Sequence, residues 1–408
     1  MSKRYHLFEV YGIELEYILV NKESFKVAPR VDEILIKKAG ELISDIENGD
    51  IAWSNELVAH VIELKTNGPT KSTDDLAEKF HENILEINEM LDSLNLQLLG
   101  SAAHPLMNPD TDTELWKHSY SEVYALYNTI FNCKGHGWSN VQSMHINLPF
   151  YNDSEFEKLH AAIRIILPLL PGICASSPIL EGKRTGFKDT RLEFYKSNQK
   201  EIPELTGSVI PERIFSKAEY YTQIFEPIKR AIKPYDKDKI LDHHYLNSRG
   251  AIARFDRNAI EIRLMDIQEC PKADIALCAL VIEVLKALVN EEFCTLKTQK
   301  SWSEKDLFLI LNEAIKYAEN AVIENDNYLQ SFGLKAPATI NEVWKQLYKT
   351  VKPNIHKSHH QTIEMILEEG TLSTRLLKAL GDDMSEKHII SVYREVQNCL
   401  KTNTLFQP

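Results

Sequence analysis

Segments in which polar and apolar residues alternate occur through the first two-thirds of the chain, and they predict an antiparallel sheet with one distinctive face. The six predicted strands cover residues 7–20, 58–65, 97–101, 141–148, 250–255 and 259–265. Segments with helical periodicity lie between them, at residues 31–47, 73–94, 113–128, 154–170 and 272–289. Because strands and helices do not alternate regularly, the pattern favours an α+β fold over a doubly wound parallel sheet.

The strand pattern nearly disappears after residue 303, and helical periods dominate from there to the end of the chain. The predicted helices of this part cover residues 306–321, 341–348, 361–369, 371–380 and 386–400. We therefore predict two regions, an α+β domain over residues 1–302 and a helical C-terminal region over residues 303–408 that packs on it.

The first predicted strand contains two carboxylates, Glu14 and Glu16, in the sequence Gly-Ile-Glu-Leu-Glu-Tyr that starts at Gly12. Residues two apart in a strand point to the same face, so these carboxylates lie side by side. Like charges at this distance repel, and a hard divalent cation such as Mg²⁺ or Mn²⁺ between them removes the repulsion. The alternative is an edge strand with a solvated polar face, and this fragment alone leaves both interpretations open.

Polar residues also interrupt two other predicted strands. Glu63 stands in an apolar segment, and Glu56 precedes it by seven residues, an odd spacing that requires a turn or bulge if both serve one site. Ser143, His145 and Asn147 alternate with apolar residues and therefore share one strand face. A single histidine in a strand is most often a core residue, but three polar residues on one face favour a functional site.

The last two predicted strands combine a carboxylate with arginines. Glu261 and Arg263 share a strand face, and Arg254 and Arg257 lie shortly before them. Arginine binds phosphate and carboxylate groups through two parallel hydrogen bonds. Carboxylates that bind metal and arginines that bind anions are the groups that phosphoryl transfer needs. The sequence contains no GxxxxGK[ST] loop and no kinase-type glycine loop, which excludes those two mechanisms.

Composition narrows the class of protein further. The 408 residues carry a formal net charge of −12 without a basic block, which argues against a nucleic-acid partner. The six cysteines form no CxxC pair, which argues against a zinc ribbon and favours buried thiols in a reducing compartment. Since we find neither a signal-peptide pattern nor an apolar run of transmembrane length, we expect a cytoplasmic protein without a membrane partner.

Taken in order, the motifs resemble those of the glutamate–cysteine ligase family 2, carboxylate–amine ligases related to glutamine synthetase. The matching motifs are Gly-x-Glu-x-Glu at 12–16, Glu-Leu-Lys-Thr at 63–66, His-Pro at 104–105, Gln-x-x-His at 142–145, Ile-Glu-Ile-Arg at 260–263 followed by Asp266, and Gly-Thr-Leu-Ser-x-Arg at 370–375. Each motif alone is weak, and their order over nearly the whole chain carries the resemblance. Two departures concern the substrate pocket: Ser176 stands where such enzymes commonly have asparagine, and the loop between Arg254 and Glu261 is short.

The resemblance implies a glutamine synthetase-like fold, in which a curved antiparallel sheet is flanked by helices and the substrates meet at metal ions. It implies that one Mg²⁺ or Mn²⁺ ion is bound by Glu16, Glu56 and Glu63. It implies a second metal ion, at the phosphates of ATP, bound by Glu14, His145 and Glu261. The implied contacts to the nucleotide come from Glu14, His145, Asn147 and Arg257.

The resemblance also implies that Arg254 and Arg263 act in catalysis by holding the transferred phosphate or the substrate carboxylate. Arg191 is a weaker candidate for binding the acceptor substrate. The implied reaction is ATP-dependent amide formation through an acyl phosphate, on the γ-carboxylate of glutamate, with an amino acid such as cysteine as the amine. The implied partners are thus small-molecule amino acids, and assembly into a homo-oligomer is compatible with this interpretation.

Two alternatives remain open at the level of sequence. A phosphagen-kinase-like phosphotransferase would share the sheet, but it would bind nucleotide mainly through arginines and would not need Glu14, Glu16 and Glu63. A non-catalytic, nucleotide-binding regulatory protein would not need the complete acidic set either. The carboxylates therefore favour the ligase interpretation.

Overall fold

A computed structural model describes residues 3–408 of the chain and contains one large antiparallel sheet. Its strands and those of two small sheets are β1 (Gly12–Asn21), β2 (Asp45–Asn48), β3 (Ile51–Asn55), β4 (Val61–Thr66), β5 (Leu96–Leu99), β6 (Ser143–Pro149), β7 (Ile179–Leu180), β8 (Lys183–Arg184), β9 (Ala251–Arg254), β10 (Ala259–Asp266), β11 (Val322–Ile323) and β12 (Ala338–Thr339). The large sheet has the order β2-β3-β4-β1-β6-β10-β9, and β5 pairs with the second half of β1. This arrangement confirms the predicted antiparallel sheet.

Helices lie between the strands of the sheet in the chain and also follow the last of its strands. Those up to residue 289 are α1 (Val31–Ala39), α2 (Leu76–Asp92), α3 (Pro109–Asp112), α4 (Ser121–Phe131), α5 (His136–Ser139), α6 (Asp153–Ile166), α7 (Pro171–Cys174), α8 (Thr190–Tyr195), α9 (Lys217–Tyr220), α10 (Glu226–Ile232), α11 (His243–Leu246) and α12 (Pro271–Val289). Those that follow are α13 (Leu296–Ser301), α14 (Glu304–Tyr317), α15 (Asp326–Gln330), α16 (Ile340–Val351), α17 (Lys357–Glu369), α18 (Leu372–Leu380) and α19 (Glu386–Thr402). Strands and helices together confirm the α+β class.

The predicted helix over residues 31–47 is wrong in its second half. Helix α1 ends at Ala39, because Gly40 adopts a left-handed conformation (φ 82°) and its N–H caps the carbonyl of Ile36. The chain then forms the β2–β3 hairpin, whose turn contains Gly49 at φ 67°. Neither strand of this hairpin was predicted, and the hairpin extends the sheet beyond β4.

The core lies between the apolar face of the sheet and the long helices. Alternate residues of the central strands, such as Ile13 and Leu15 of β1 and Ile146 of β6, are fully buried there. They share one apolar cluster with α2, α6 and α12, and α12 is buried along nearly its whole length. The opposite face of the central strands is consequently left for polar side chains.

The helices after residue 303 pack onto the same body. Helices α16 and α17 contact α12, and α18 and α19 cover the end of β1 in a second apolar cluster that includes Ile18 and Tyr393. A fully buried ion pair between Arg375 of α18 and Glu269 adds a polar contact between this region and the segment after β10. The boundary at 302/303 between two regions stays a prediction.

Two further properties concern the whole described chain. All six cysteines are free, and five of them are buried. Within residues 3–408, none of the helices combines the length and the apolar character that crossing a membrane requires.

Candidate active site

The polar face of the central strands aligns the charged residues in rows that run across the sheet. Glu16 of β1 pairs directly with Glu63 of β4, which in turn pairs with Ser54 of β3. One step along β1, Glu14 pairs with Lys65 on one side and with His145 on the other. Directly paired residues in antiparallel strands point to the same face. The sheet therefore gathers carboxylates from β1, β4 and β10 around His145, as the alternation pattern predicts.

His145 lies at the centre of this group and is only 5% exposed. Its Nδ1 atom is 3.0 Å from Oε2 of Glu14 and 3.7 Å from Oε1 of Glu261. Its Nε2 atom is 3.0 Å from Oγ of Ser143, and Asn147 donates a hydrogen bond of 2.9 Å to Oε1 of Glu14. Burial raises the pKa of Glu14, but the hydrogen bond and charge of His145 outweigh it and bring this pKa to about 2.

Glu16 is held from the neighbouring strand. The backbone N–H and the hydroxyl of Ser143 both donate to its Oε2 atom, at 2.7 and 3.0 Å. Ser54 donates to Glu63 at 2.6 Å, and Lys65 forms an ion pair with Glu63 at 3.2 Å. Each carboxylate thus keeps a fixed orientation toward the polar face.

A cavity of about 870 Å³ opens on this face and is lined by Glu16, Glu56 and Glu63, which we call the carboxylate trio. Glu56 follows the last residue of β3, so the turn that its odd spacing from Glu63 required is the β3–β4 turn. Burial and the charges of Glu63 and Glu16 raise the pKa of Glu56 well above its ordinary value. Burial and the charges of Glu14 and Glu16 likewise raise the pKa of Glu63 to about 7, against the opposite effects of Lys65 and Ser54.

Arginines stand next to the carboxylates of β10. Arg263 Nε is 3.0 Å from Oε1 of Glu261, and the Arg263 side chain lines the cavity. Arg254 of β9 is buried, 3.7 Å from Oε2 of Glu261, and pairs with Asp256 at 2.8 Å. Arg257 lies apart from the group, exposed in the β9–β10 turn with its Nε 3.9 Å from Asp256.

Arg191 reaches the cavity from α8 through an interaction that strand alternation does not predict. The β6–β10 register shifts between Ile262 and Met265, so that Asp266 pairs with Ser143 and lies in the Glu16–Glu63 row. Asp266 accepts a hydrogen bond from Nε of Arg191. The Nη2 atom of Arg191 is buried and has no hydrogen-bond partner among residues 3–408.

Ser176, the departure noted in the sequence, supports this arrangement. Its backbone N–H donates to Asp266 at 2.8 Å, and its hydroxyl donates to the carbonyl of Ile267 at 2.7 Å. Ser177 adds a hydroxyl donor to Asp266 at 3.1 Å. Both serines are fully buried, so they position Asp266 and, through it, Arg191.

The structure thus brings together most of the predicted site residues and adds others. Glu14, Glu16, Glu63, His145, Asn147, Glu261 and Arg263 share the polar face, with Arg254, Glu56 and Arg191 at its margins. The sequence analysis assigned no role in the site to Ser54, Lys65, Asp266 and Tyr195, although Lys65 and Asp266 belong to the matching motifs. Lys65 was detectable, because it alternates with Glu63 on β4, whereas Asp266 depends on the bulge.

The donor set fits hard divalent cations. Glu14, His145 and Glu261 each offer one potential ligand atom, and these three atoms lie within 4.8 Å of one another. Carboxylate oxygens with a single imidazole nitrogen suit Mg²⁺ or Mn²⁺. The raised pKa values of Glu56 and Glu63 indicate that negative charge accumulates in the trio without sufficient compensation, which a cation would supply.

A second group with such spacing consists of Asp242, His243 and His244 at the start of α11. Both histidines are half-buried, and Asp242 is exposed. Asp242 accepts a hydrogen bond from the backbone N–H of His244 at 2.8 Å, as a helix N-cap does. This role explains the aspartate without a metal ion.

The fold is similar to one that is already known from a solved structure. The structure resembles that of the Francisella tularensis glutamate–cysteine ligase in complex with AMP, with a TM-score of 0.55, 11% identity and coverage of 96% of this chain and 89% of that one. At this identity the likeness concerns the fold.

The sequence match is more specific. The model of the glutamate–cysteine ligase family 2 matches residues 10–395, and the chain belongs to this family. An uncharacterized protein of Archaeoglobus fulgidus is 33% identical over 95% of this chain and 97% of its own length. A Bradyrhizobium protein with the provisional name glutamate–cysteine ligase 2 is 24% identical over 84% of this chain and 76% of its own. The match to a similarly named Corynebacterium glutamicum protein, 26% identical, covers only 45% of this chain and 46% of that protein.

Proposed function

We propose that the protein is an ATP-dependent carboxylate–amine ligase that acts on the γ-carboxylate of glutamate, with an amino acid such as cysteine as the amine. Family membership supports the class of reaction. The single structural observation that carries the proposal is the convergence of carboxylates and arginines on one sheet face, beside a cavity of about 870 Å³. The choice of glutamate and cysteine follows the names of the related proteins.

In this proposal the carboxylates hold the metal ions. Glu14, His145 and Glu261 would bind one ion at the nucleotide phosphates, and the carboxylate trio would bind the other. When bound, such ions neutralise phosphate charge and stabilise the charge that develops during transfer. Ser143 and Ser54 keep Glu16 and Glu63 in place, so that their carboxylates need little reorganisation.

The arginines act on the anionic groups. A carboxylate oxygen of the substrate bonds to the γ-phosphorus of ATP, ADP leaves, and an acyl phosphate forms. The amine nitrogen then bonds to the acyl carbon, phosphate leaves, and the nitrogen loses a proton. Arg263 and Arg254 flank Glu261 and would hold the transferred phosphoryl group, while Arg191 has a free Nη2 donor for a substrate carboxylate. Asn147 and the exposed Arg257 would serve the nucleotide.

The proposal is tested by incubating the protein with ATP, Mg²⁺ and pairs of amino acids, and by measuring ADP, phosphate and the amide product. We expect ADP, phosphate and amide in equal amounts. Oxygen-18 in the substrate carboxylate should pass into phosphate, because that oxygen becomes the bridging atom of the acyl phosphate. Release of AMP and pyrophosphate would indicate adenylation and contradict the mechanism, and phosphorylation without amide would indicate a kinase.

A further inference from the structure

The cavity beside the carboxylate trio has a mostly aromatic wall, formed by Tyr124, Tyr127, Trp138 and Tyr195, which we call the inner wall. The rings of Tyr127 and Trp138 meet edge to face with their centroids 5.7 Å apart. Trp138 donates a hydrogen bond to the carbonyl of Asn198, and the Tyr195 hydroxyl donates to the carbonyl of Ser248. These hydrogen bonds hold the two rings in place, so the wall is preorganised.

Apolar side chains also form the mouth of this cavity, which we call the rim. The rim consists of Ile43, Tyr120, Ile240 and Tyr245, which are 41%, 62%, 37% and 61% exposed. They come from three separate parts of the chain: the segment after α1, the start of α4 and the segment around α11. These large apolar side chains converge on one cavity from separate segments and remain exposed. Such an arrangement is typical of a surface that binds an apolar ligand.

The charged residues that line the cavity indicate which substrate binds there. Glu16, Arg191 and Arg263 line the cavity, whereas Glu14, Glu261 and Arg254 do not. His145 lies between the two groups, because it lines the cavity and also contacts Glu14. In the proposed function, the side of Glu14 and Glu261 holds the nucleotide. The inner wall lies on the side of His145 that faces the carboxylate trio, which the proposed function leaves to the substrates other than the nucleotide.

We propose that the amine substrate carries an aromatic or comparably large apolar group, which lies against the inner wall while its nitrogen points to the carboxylate trio. This inference rests on the proposed function and specifies its acceptor. The thiol of cysteine has one heavy atom beyond Cβ and offers the inner wall little apolar area and no ring. Burial of an aromatic ring against preorganised rings gains both apolar area and ring-to-ring contact.

The experiment compares amines under one set of conditions: cysteine, alanine, phenylalanine and phenethylamine, with glutamate, ATP and Mg²⁺. We expect a KM for phenylalanine or phenethylamine at least about tenfold below that for cysteine, the scale of discrimination that an apolar pocket provides. Phenethylamine lacks a carboxylate, so its comparison with phenylalanine reports whether Arg191 binds the acceptor. An equal or lower KM for cysteine would overturn the inference.

A cavity-filling substitution supplies a matched pair of variants. Val123 of α4 lines the cavity, whereas Ala125 lies on the exposed side of the same helix. Val123→Trp should raise the KM for the aromatic amine by about tenfold or more and that for cysteine less, because it occupies the space of the ring. Ala125→Trp should change neither. Equal effects of Val123→Trp on both amines would contradict the assignment.

Two additional readouts separate this inference from the proposed function. Hydroxylamine traps an acyl phosphate as a hydroxamate, so hydroxamate formation together with a preference for cysteine would reject only the inference. Binding of phenethylamine should quench tryptophan fluorescence through Trp138, and Trp138→Phe should remove this change. Absence of quenching in the folded wild-type protein would reject the aromatic acceptor, whatever the outcome of the hydroxamate assay.

Discussion

Glu16 and Glu63 are directly paired residues of β1 and β4, and both are less than 10% exposed. Hydroxyl donors from Ser143 and Ser54 fix their carboxylates, and the charge of Glu16 contributes to the raised pKa of Glu63. Buried like charges lower the stability of a fold, whereas an apolar pair or an oppositely charged pair at this position would not. Lys65 compensates part of this charge through its ion pair with Glu63, and the metal ion of the proposed function would compensate the rest.

The first prediction concerns these carboxylates. Glu16→Gln and Glu14→Gln should each abolish Mg²⁺-dependent turnover while the protein stays folded, because the amide keeps the shape but loses the charge that binds a hard cation. Turnover is measured as ADP release, and folding is checked by circular dichroism. Glu23→Gln, which changes an exposed carboxylate just after β1, is the control and should retain activity. Near-normal activity of both site variants would contradict the metal assignment.

The second prediction concerns metal binding without turnover. Mg²⁺ or Mn²⁺ should raise the melting temperature of the wild-type protein, because a ligand at 100 times its Kd stabilises the folded state by about 2.7 kcal/mol. Glu16→Gln should reduce the shift, and the Glu23→Gln control should not. An equal shift in all three proteins would show that the stabilisation arises elsewhere on this acidic chain.

The sequence was sufficient to predict the polar face because strand periodicity is local. Glu14 and Glu16, or His145 and Asn147, are two residues apart, and any regular strand places such residues on one face. The hairpin of β2 and β3 was missed because residues 31–47 also fit a helical period. The sequence Asn48-Gly49 is a strong turn signal that should have outweighed this period.

Other parts of the site depend on tertiary structure. Asp266 has the opposite parity to Glu261 and Arg263, so regular alternation assigns it to the core face, and only the bulge in β10 brings it to Arg191. The inner wall comes from short helices far apart in sequence, such as α4 and α8, and its aromatic residues have no common period. Such contacts are set by packing, which a single sequence does not encode in a local pattern.

The third prediction concerns Arg263, which lines the cavity next to Glu261. Arg263→Ala should lower kcat and kcat/KM together by about 10²-fold or more, the effect of removing one preorganised donor to transition-state charge. Arg263→Lys should also be poor, because lysine keeps the charge but loses the planar pair of donors.

The alternative for Arg263 is that it only neutralises Glu261 on the strand face. Arg263→Ala would then mainly lower the melting temperature, and turnover measured well below that temperature would stay close to normal. Thermal unfolding and kinetics of the same preparation therefore distinguish the two roles.

The last prediction concerns His104 of the His-Pro motif, which the structure assigns to stability. His104 is 1% exposed; its Nε2 is 2.8 Å from the carbonyl of Phe25, and its Nδ1 accepts a hydrogen bond from the N–H of Leu106. Both contacts are satisfied by the neutral ring that carries its proton on Nε2. The pKa of His104 is lowered to about 4, mainly by burial and to a smaller extent by the nearby His60. The hydrogen bond to the Phe25 carbonyl and the charge of Asp112 oppose this shift.

The sign of the pH effect follows from this lowered pKa. The unfolded chain takes up a proton near pH 6.5 and the folded protein only near pH 4, so the stabilisation is present above pH 6.5 and is lost as the pH falls between these values. Between pH 7 and pH 5 the loss due to this one residue should be about 2 kcal/mol.

Carboxylates with a raised pKa, such as Glu63, contribute with the opposite sign, so the wild-type curve alone does not isolate His104. The measurement is therefore the free energy of unfolding in urea at pH 7 and pH 5 for the wild type and for His104→Gln, whose amide can both donate and accept. The variant should lose less stability than the wild type over this interval, by about 2 kcal/mol. Parallel pH curves for the two proteins would show that the ring is protonated in the folded state, contrary to its hydrogen-bond partners.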